Sequence, residues 1–484
     1  MKKEVVGLAA VSTAATVVVV AAVLRQWKRK EQQCNQTQRI IHKFATECAT
    51  PVSKLWQIAD ALVSDMHASL SSNHSNKNLN MLVSYVDSLP NGDEKGLFYG
   101  INLRGTNILI LCARLGGNDN PITDLHREEI HIPPNVNFGT SQELYKFMAV
   151  EIEKFVSAHP EDDDAPQKEK KLGFILSYPV EQVASTSGSA IKWKRFAVND
   201  AVGETLVAEV NQALGKLNMN IRVHALVDDT IGNLAGGRYY DRETITAVTL
   251  GMGTNAAYIE SPQAVPSWEG PSPKSGEMVI STEWGNFSSP HIPRTEFDAY
   301  LDAESLNPGS RIFEKLISGM YLGEIVRRVL LKIAQETALF GDTVPPKLRV
   351  PYQLSSPDMA IMHQDTSEDH EVVGKKLEEI FEITNSSIMA RDVVVEVCDI
   401  VAERGARLVG AGIVGILKKI GRIEHKRSVV IVEGGLYEHY RLFRNYLHSS
   451  IWEMLGTELS ENVKFENSHG GSGAGALFLA ASQS

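Results

Sequence analysis

The sequence predicts an α/β protein of two related domains behind an apolar N-terminal span, and three observations lead there. Short β-rich runs alternate with helical segments from about Gly96 onward. Two strand–turn–strand units, "INLRGTNILILCARL" from Ile101 and "TITAVTLGMGTNAAYIE" from Thr244, echo each other around a Gly-Thr-Asn tip. Finally, "VVGLAAVSTAATVVVVAAVL", Val5 to Leu24, carries no charge; at about 1.5 Å per residue it spans roughly 30 Å, the thickness of a hydrocarbon core.

Taken in order, the apolar span is expected to be a membrane-anchoring helix over residues 5–24, within an anchor segment 1–30. Lys2 and Lys3 precede it and Arg25, Lys28, Arg29 and Lys30 follow, so the heavier positive flank keeps the body of the protein cytosolic. A cleaved secretory signal is the alternative, although the span exceeds the usual apolar region of such signals. Gln36 to Leu70 repeats apolar residues at helical spacing with a break near Pro51. A first domain is expected over 31–235 and a second over 236–484, with the last helix returning to the first. The acidic run at 161–171 reads as a solvated loop. A long helical segment is expected from Asn307, and glycine turns follow in "VVIVEGGLYEHY" and "SHGGSGAGALFLAA".

Composition narrows the function classes. The hydrophobic share of 43% and charged share of 22% are those of a soluble globular body. A net charge of -11 argues against a nucleic-acid partner. The four cysteines, Cys34, Cys48, Cys112 and Cys398, form no paired motif, which fits a reducing compartment and predicts no tightly bound metal.

The dispersed motifs "LGFILSYPV", "LVDDTIGNLAGGRYY", "GMGTNAAYIE", "STEWGNF" and "NPGSRIFEKLISGMYLGEIVRRVLL" resemble, in order, the sugar-site and phosphate-site signatures of hexokinases. The resemblance covers roughly residues 38–484. It implies the two-domain actin-like ATPase (ribonuclease-H-like) fold with a central cleft, ATP with Mg²⁺ as the phosphate donor, and glucose or fructose as acceptor. The anchor resembles that of plant hexokinases on the mitochondrial outer membrane. Phosphoryl transfer to a sugar needs a base at the attacking hydroxyl, polar groups on the ring hydroxyls and donors around the phosphates. By resemblance the base is Asp229. Hexose-binding positions are Ser177, Lys194, Asp228, Asn255, Glu283 and Glu314. Each carboxylate or amide, taken singly, is also readable as a helix cap or a satisfied polar residue.

Nucleotide and phosphate positions are Asn102, Arg104, Gly105, Thr106, Asn107, Gly251, Met252, Gly253, Thr254, Gly434, Gly471 and Ser472, and here the sequence departs from the family. Where the family reads "DLGGTNFR", this chain reads "NLRGTNIL". Asn102 replaces an aspartate that helps hold Mg²⁺, Arg104 replaces a glycine that lets backbone approach phosphate, and Leu109 replaces an arginine. Met252 replaces a threonine, and a thioether cannot donate. Glu433 replaces the aspartate of a "DGG" turn, and Gly470 stands where an aspartate precedes "GSG". On the sugar side Asp228 replaces an asparagine, and "KWKRF" at Lys192 to Phe196 is a shortened family segment. These departures predict a hexose-binding protein with weak or absent kinase activity and a regulatory, sugar-sensing role with protein partners. An active hexokinase in which Arg104 serves the phosphates is the alternative. A hinge is expected near Gly236 and Gly237.

Overall fold

The computed structural model describes residues 31–483 apart from 72–78, 85, 87, 118–119, 161–168, 177–180, 185–186, 190–205, 271 and 425. Two compact units emerge from the contact pattern. One gathers the residues up to Thr50 with Pro293–Leu306 and Tyr321–Arg404, and its described elements are helical. Its interior ties helix Glu296–Glu304 to Arg404, whose guanidinium donates to both oxygens of Asp298 at 2.7 and 2.9 Å. With the two side chains 1% and 4% exposed, removing either partner would strand a buried charge, at a cost of about 3 to 5 kcal/mol.

The other unit holds Pro51–Ile292, Asn307–Met320 and Gly405–Ser484. Its strands are β1 (Leu82–Ser84), β2 (Lys95–Arg104), β3 (Asn107–Gly116), β4 (Thr123–His131), β5 (Lys170–Leu176), β6 (Glu181–Ala184), β7 (Ser187–Ser189), β8 (Ile221–Asp228), β9 (Thr244–Leu250), β10 (Thr254–Glu260), β11 (Met278–Ser281), β12 (Ser428–Glu433) and β13 (Val463–Asn467). A five-stranded sheet runs β4-β3-β2-β5-β8 and a six-stranded sheet β1-β11-β10-β9-β12-β13, with β6 and β7 as a separate hairpin. In each large sheet an antiparallel meander of three strands continues into two parallel ones: β2, β3 and β4 then β5 and β8; β9, β10 and β11 then β12 and β13. This repeated plan is the duplication that the two echoing hairpins predict.

Helices cover the sheets where the strands are apolar on both faces. Helix Ser141–Ala158 opens on a capping box: Glu143 N donates to Thr140 Oγ1 at 3.3 Å, and Thr140 N to Glu143 Oε2 at 2.8 Å. With helix Leu206–Lys216 it buries Leu144, Met148, Phe155 and Val210 against Ile101, Leu103 and Phe174 of the five-stranded sheet. The C-terminal helix Gly471–Ser482 lies against β2, β3 and β5, and helix Asp229–Tyr240 against β9 and β10. The two helices touch where a Cβ on Gly475 would meet Gly232 O at 1.9 Å, so only glycine permits the crossing.

Two expectations change. The expected fold class is corrected in one respect: among the described residues no helix is long and apolar enough to cross a membrane, and residues 5–24, where that helix was expected, lie outside them. The helical run expected from Asn307 is broken into Ile312–Ile317 and Leu322–Thr337. Gly319 N and Met320 N leave the helical ladder to donate to Gly251 O and Met252 O at 2.8 and 3.1 Å, tying this break to the β9–β10 hairpin. Gly236 and Gly237, near which the hinge was expected, lie inside helix Asp229–Tyr240, where Gly237 packs on Ile431 of β12 and nothing crowds Gly236. The boundary expected between 235 and 236 falls within the same helix.

Candidate functional site

The sugar-side residues converge on the ends of β8, β10 and β11. Asp228 closes β8 and caps the next helix, accepting from Ile231 N at 2.8 Å; the capping role open for the aspartate pair thus falls to Asp228, leaving Asp229 as the first helical residue. The other Asp228 oxygen accepts from Ser281 Oγ at 2.6 Å. Asn255 Nδ2 donates to Ser281 Oγ at 2.8 Å and to Glu283 Oε1 at 3.0 Å, while its Oδ1 accepts from Glu283 N at 3.0 Å. Glu283 itself sits in the left-handed region at φ 50°, ψ 33°, a conformation a non-glycine residue holds only when its neighbours enforce it. Arg311 grips Glu314 with two bonds, Nε to Oε1 at 2.8 Å and Nη2 to Oε2 at 2.6 Å. Thr254 N reaches the same carboxylate at 3.4 Å, and Trp284 Nε1 fixes the Thr254 hydroxyl at 3.0 Å.

Four carboxylates therefore gather with one guanidinium. Burial pushes Asp228 up to about 6, with Ser281 and the Ile231 amide opposing and Asp229 adding a smaller upward push. Glu283 rises to about 7, again mainly through burial, assisted by the charges of Asp228 and Glu314 and opposed by Arg311. An array of carboxylate acceptors and an amide suits ring hydroxyls, which both donate and accept.

The phosphate side is built differently. β2 and β3 pair Arg104 with Asn107 across the two-residue turn Gly105–Thr106, and Gly105 has φ +57°. Asn102, fully buried at the foot of this hairpin, donates its amide to Asp229 Oδ1 at 3.4 Å. Asn107 is engaged by its neighbour strand, donating to Glu129 at 3.1 Å and meeting His131 Nδ1 at 2.9 Å. Leu109 is 3% exposed and packs with Leu111, Ala113 and Leu477, so that position belongs to the core. Arg104 folds toward the first turn of the C-terminal helix, its Nη2 3.8 Å from where a Cβ on Gly473 would stand.

In the second hairpin Gly251, Met252 and Gly253 link β9 to β10, and Met252 is 62% exposed. Gly434, at φ +119°, presses on this turn; a Cβ there would lie 2.4 Å from Leu250 O. Glu433 accepts from Asn233 Nδ2, Ser468 Oγ donates to Asn233 Oδ1 at 2.7 Å, and a Cβ on Gly471 would lie 3.0 Å from Glu433 Oε1. A carboxylate thus stands at the start of helix Gly471–Ser482, which also carries Ser472. With a neutral amide at 102 and a thioether at 252, these residues fit a magnesium–nucleotide poorly.

Family models described as Hexokinase match residues 40–239 and 245–482. Hexokinase-1 of Arabidopsis thaliana is 50% identical over 491 residues, covering 100% of this chain and 99% of that relative. Hexokinase-1 of Spinacia oleracea is 49% identical over 495 residues, covering 100% and 98%. The chain belongs to the hexokinase family. Among solved structures, a Schistosoma mansoni hexokinase in complex with glucose superposes with a TM-score of 0.79 at 30% identity, covering 92% of this chain and 99% of that one.

Of the expected site residues, Asp228, Asp229, Asn255, Glu283 and Glu314 come together, whereas Ser177 and Lys194 lie outside the described residues. Two participants were not anticipated. Ser281 joins Asp228 to Asn255, and Arg311 clamps Glu314. Their signals lie in spacing: Ser281 precedes Glu283 by two positions and Arg311 precedes Glu314 by three.

Proposed function

We propose that this hexokinase-family protein binds hexose, glucose first among candidates, in the site built by Asp229, Asn255, Glu283 and Glu314, and transfers phosphate from ATP weakly or not at all. In its sugar-bound form it would act on protein partners as a regulatory element. The observation that carries this reading is the bond from Asn102 to Asp229. An amide donor occupies the place where the family sets a second carboxylate beside the base, so the pair has lost half the negative charge that a hard dication needs. Met252 acts in the same direction by removing a donor. Asp229 would still accept a proton from a bound hydroxyl, but with little to position or neutralise the incoming phosphoryl group.

The test pairs hexose titration calorimetry with a turnover assay for hexose 6-phosphate under saturating Mg²⁺ and ATP. Heat from glucose with turnover far below that of an active hexokinase supports the reading; turnover at an active enzyme's level overturns its inactive half. One observation favours the second reading, an active kinase: Arg104 lies over the first turn of helix Gly471–Ser482, where a cation can serve phosphate. Under that reading Arg104→Gly abolishes activity, and under the first it leaves activity unchanged or raises it.

A further inference from the structure

Deepening the hexose reading on which it rests, we infer that Asp228 is a positioning residue acting through Ser281 on Glu283, so that the sugar-free site holds a proton on Glu283 and releases it when hexose binds. Three contacts carry the inference. Ser281 is fully buried and has one hydroxyl proton, which it gives to Asp228 Oδ2 at 2.6 Å. Glu283 Oε1 competes for that proton from 3.4 Å, so its bond to the hydroxyl is the longer and weaker of the two. Asn255 Nδ2 spans both acceptors, at 2.8 Å to Ser281 Oγ and 3.0 Å to Glu283 Oε1. A neutral residue at 228 would compete less for the Ser281 proton, and Glu283 would then ionise more readily.

The surrounding charges relieve Glu283 only in part: Arg311 opposes its rise, while Asp228 and Glu314 add to it. Asp228 and Asp229 face the network from β8 and the following helix, and Glu314 comes from helix Ile312–Ile317. Arg311 is committed to Glu314 through two bonds. Lys315, on that same helix, turns away to the carbonyls of Asn307 and Ser310, each at 2.8 Å. The upward displacement of both Asp228 and Glu283 agrees with this geometry. A hexose hydroxyl that donates to Glu283 prefers the ionised carboxylate, so binding transfers the Glu283 proton to solvent, one proton per hexose at most.

The test is calorimetric titration of the full chain with glucose at pH 6 and pH 8, each in two buffers of different ionisation enthalpy. The expected result is buffer-dependent heat at pH 6 that reports proton release, little buffer dependence at pH 8, and affinity rising roughly tenfold between the two. Asp228→Asn should flatten that rise; Ser281→Ala, which removes the bridge but keeps both carboxylates, should also shift it and guards against a folding failure in the first variant. Buffer-independent heat at pH 6, proton uptake, or an unaltered pH profile in both variants overturns the inference while leaving hexose binding intact. Absence of heat with glucose at either pH overturns the hexose reading as well.

Discussion

The sugar-side network and the phosphate-side hairpins are neighbours, built on the same pair of sheets and joined by the Asn102–Asp229 bond, yet they stand in opposite condition. On the sugar side every described polar group is held by another: Asn255 by Ser281 and Glu283, Glu314 by Arg311. On the phosphate side the backbone turns persist, while Leu109 has been drawn into the core and Met252 projects outward. A turn is maintained by strand pairing and by glycines such as Gly434, so its scaffold does not depend on the side chains at 104, 109 and 252. Shape and chemistry are separable, and the proposed function rests on this molecule keeping the first while changing the second at the phosphate side.

The sharpest way to break the contrast is to rebuild the phosphate side. The combined change Asn102→Asp, Arg104→Gly and Met252→Thr should raise turnover by about two to six orders of magnitude, if each restored contact contributes about 1 to 3 kcal/mol. Steady-state assays with glucose and Mg²⁺–ATP measure it, and unchanged turnover would mean that the deficit lies elsewhere. Next in size, Leu109→Ala should lower unfolding free energy by about 2 to 4 kcal/mol through the cavity left beside Leu477. Denaturant titration checks this, with the glucose-induced shift of the melting temperature retained in the variant.

On the other side, Asn255→Ala should weaken glucose binding by about 10- to 100-fold, because Ser281 and Glu283 lose a shared donor. Calorimetry measures it, and undiminished affinity would dissolve the sugar-site assignment. The smallest effect concerns pH. Asp228 and Glu283 have raised folded-state values, so the stability they contribute is fully present below about pH 4 and is lost as pH rises through about 6 and 7. Asp228→Asn should remove about 1 kcal/mol of that decline between pH 5 and pH 7, read from denaturation midpoints.

Much of this was legible beforehand. The two Gly-Thr-Asn hairpins announced a repeated sheet because strand–turn–strand patterns are local, and the break at Pro51 follows from proline's missing donor. Asp229, Asn255, Glu283 and Glu314 could be grouped beforehand because each stands inside a short motif, and the structure brings them together. What escaped was set by tertiary contacts. The Asp228–Ser281 bridge joins residues 53 positions apart, and the burial that raises Asp228 belongs to no local pattern. The helix expected from Asn307 failed because two of its amides are claimed by the carbonyls of the β9–β10 hairpin, a competition invisible to periodicity. The packing of Gly237 on Ile431 of β12 is likewise a tertiary contact that no local pattern announces.

The central claim is a functioning sugar site beside a degraded phosphate site, and sequential calorimetry addresses it most directly: glucose first, then Mg²⁺–ATP into the glucose-saturated protein. The account predicts saturable heat from glucose and none attributable to nucleotide at millimolar concentration. Saturable nucleotide binding on top of bound glucose would contradict it, and the substitutions at 102, 104 and 252 would then have to be read as a rebuilt phosphate site.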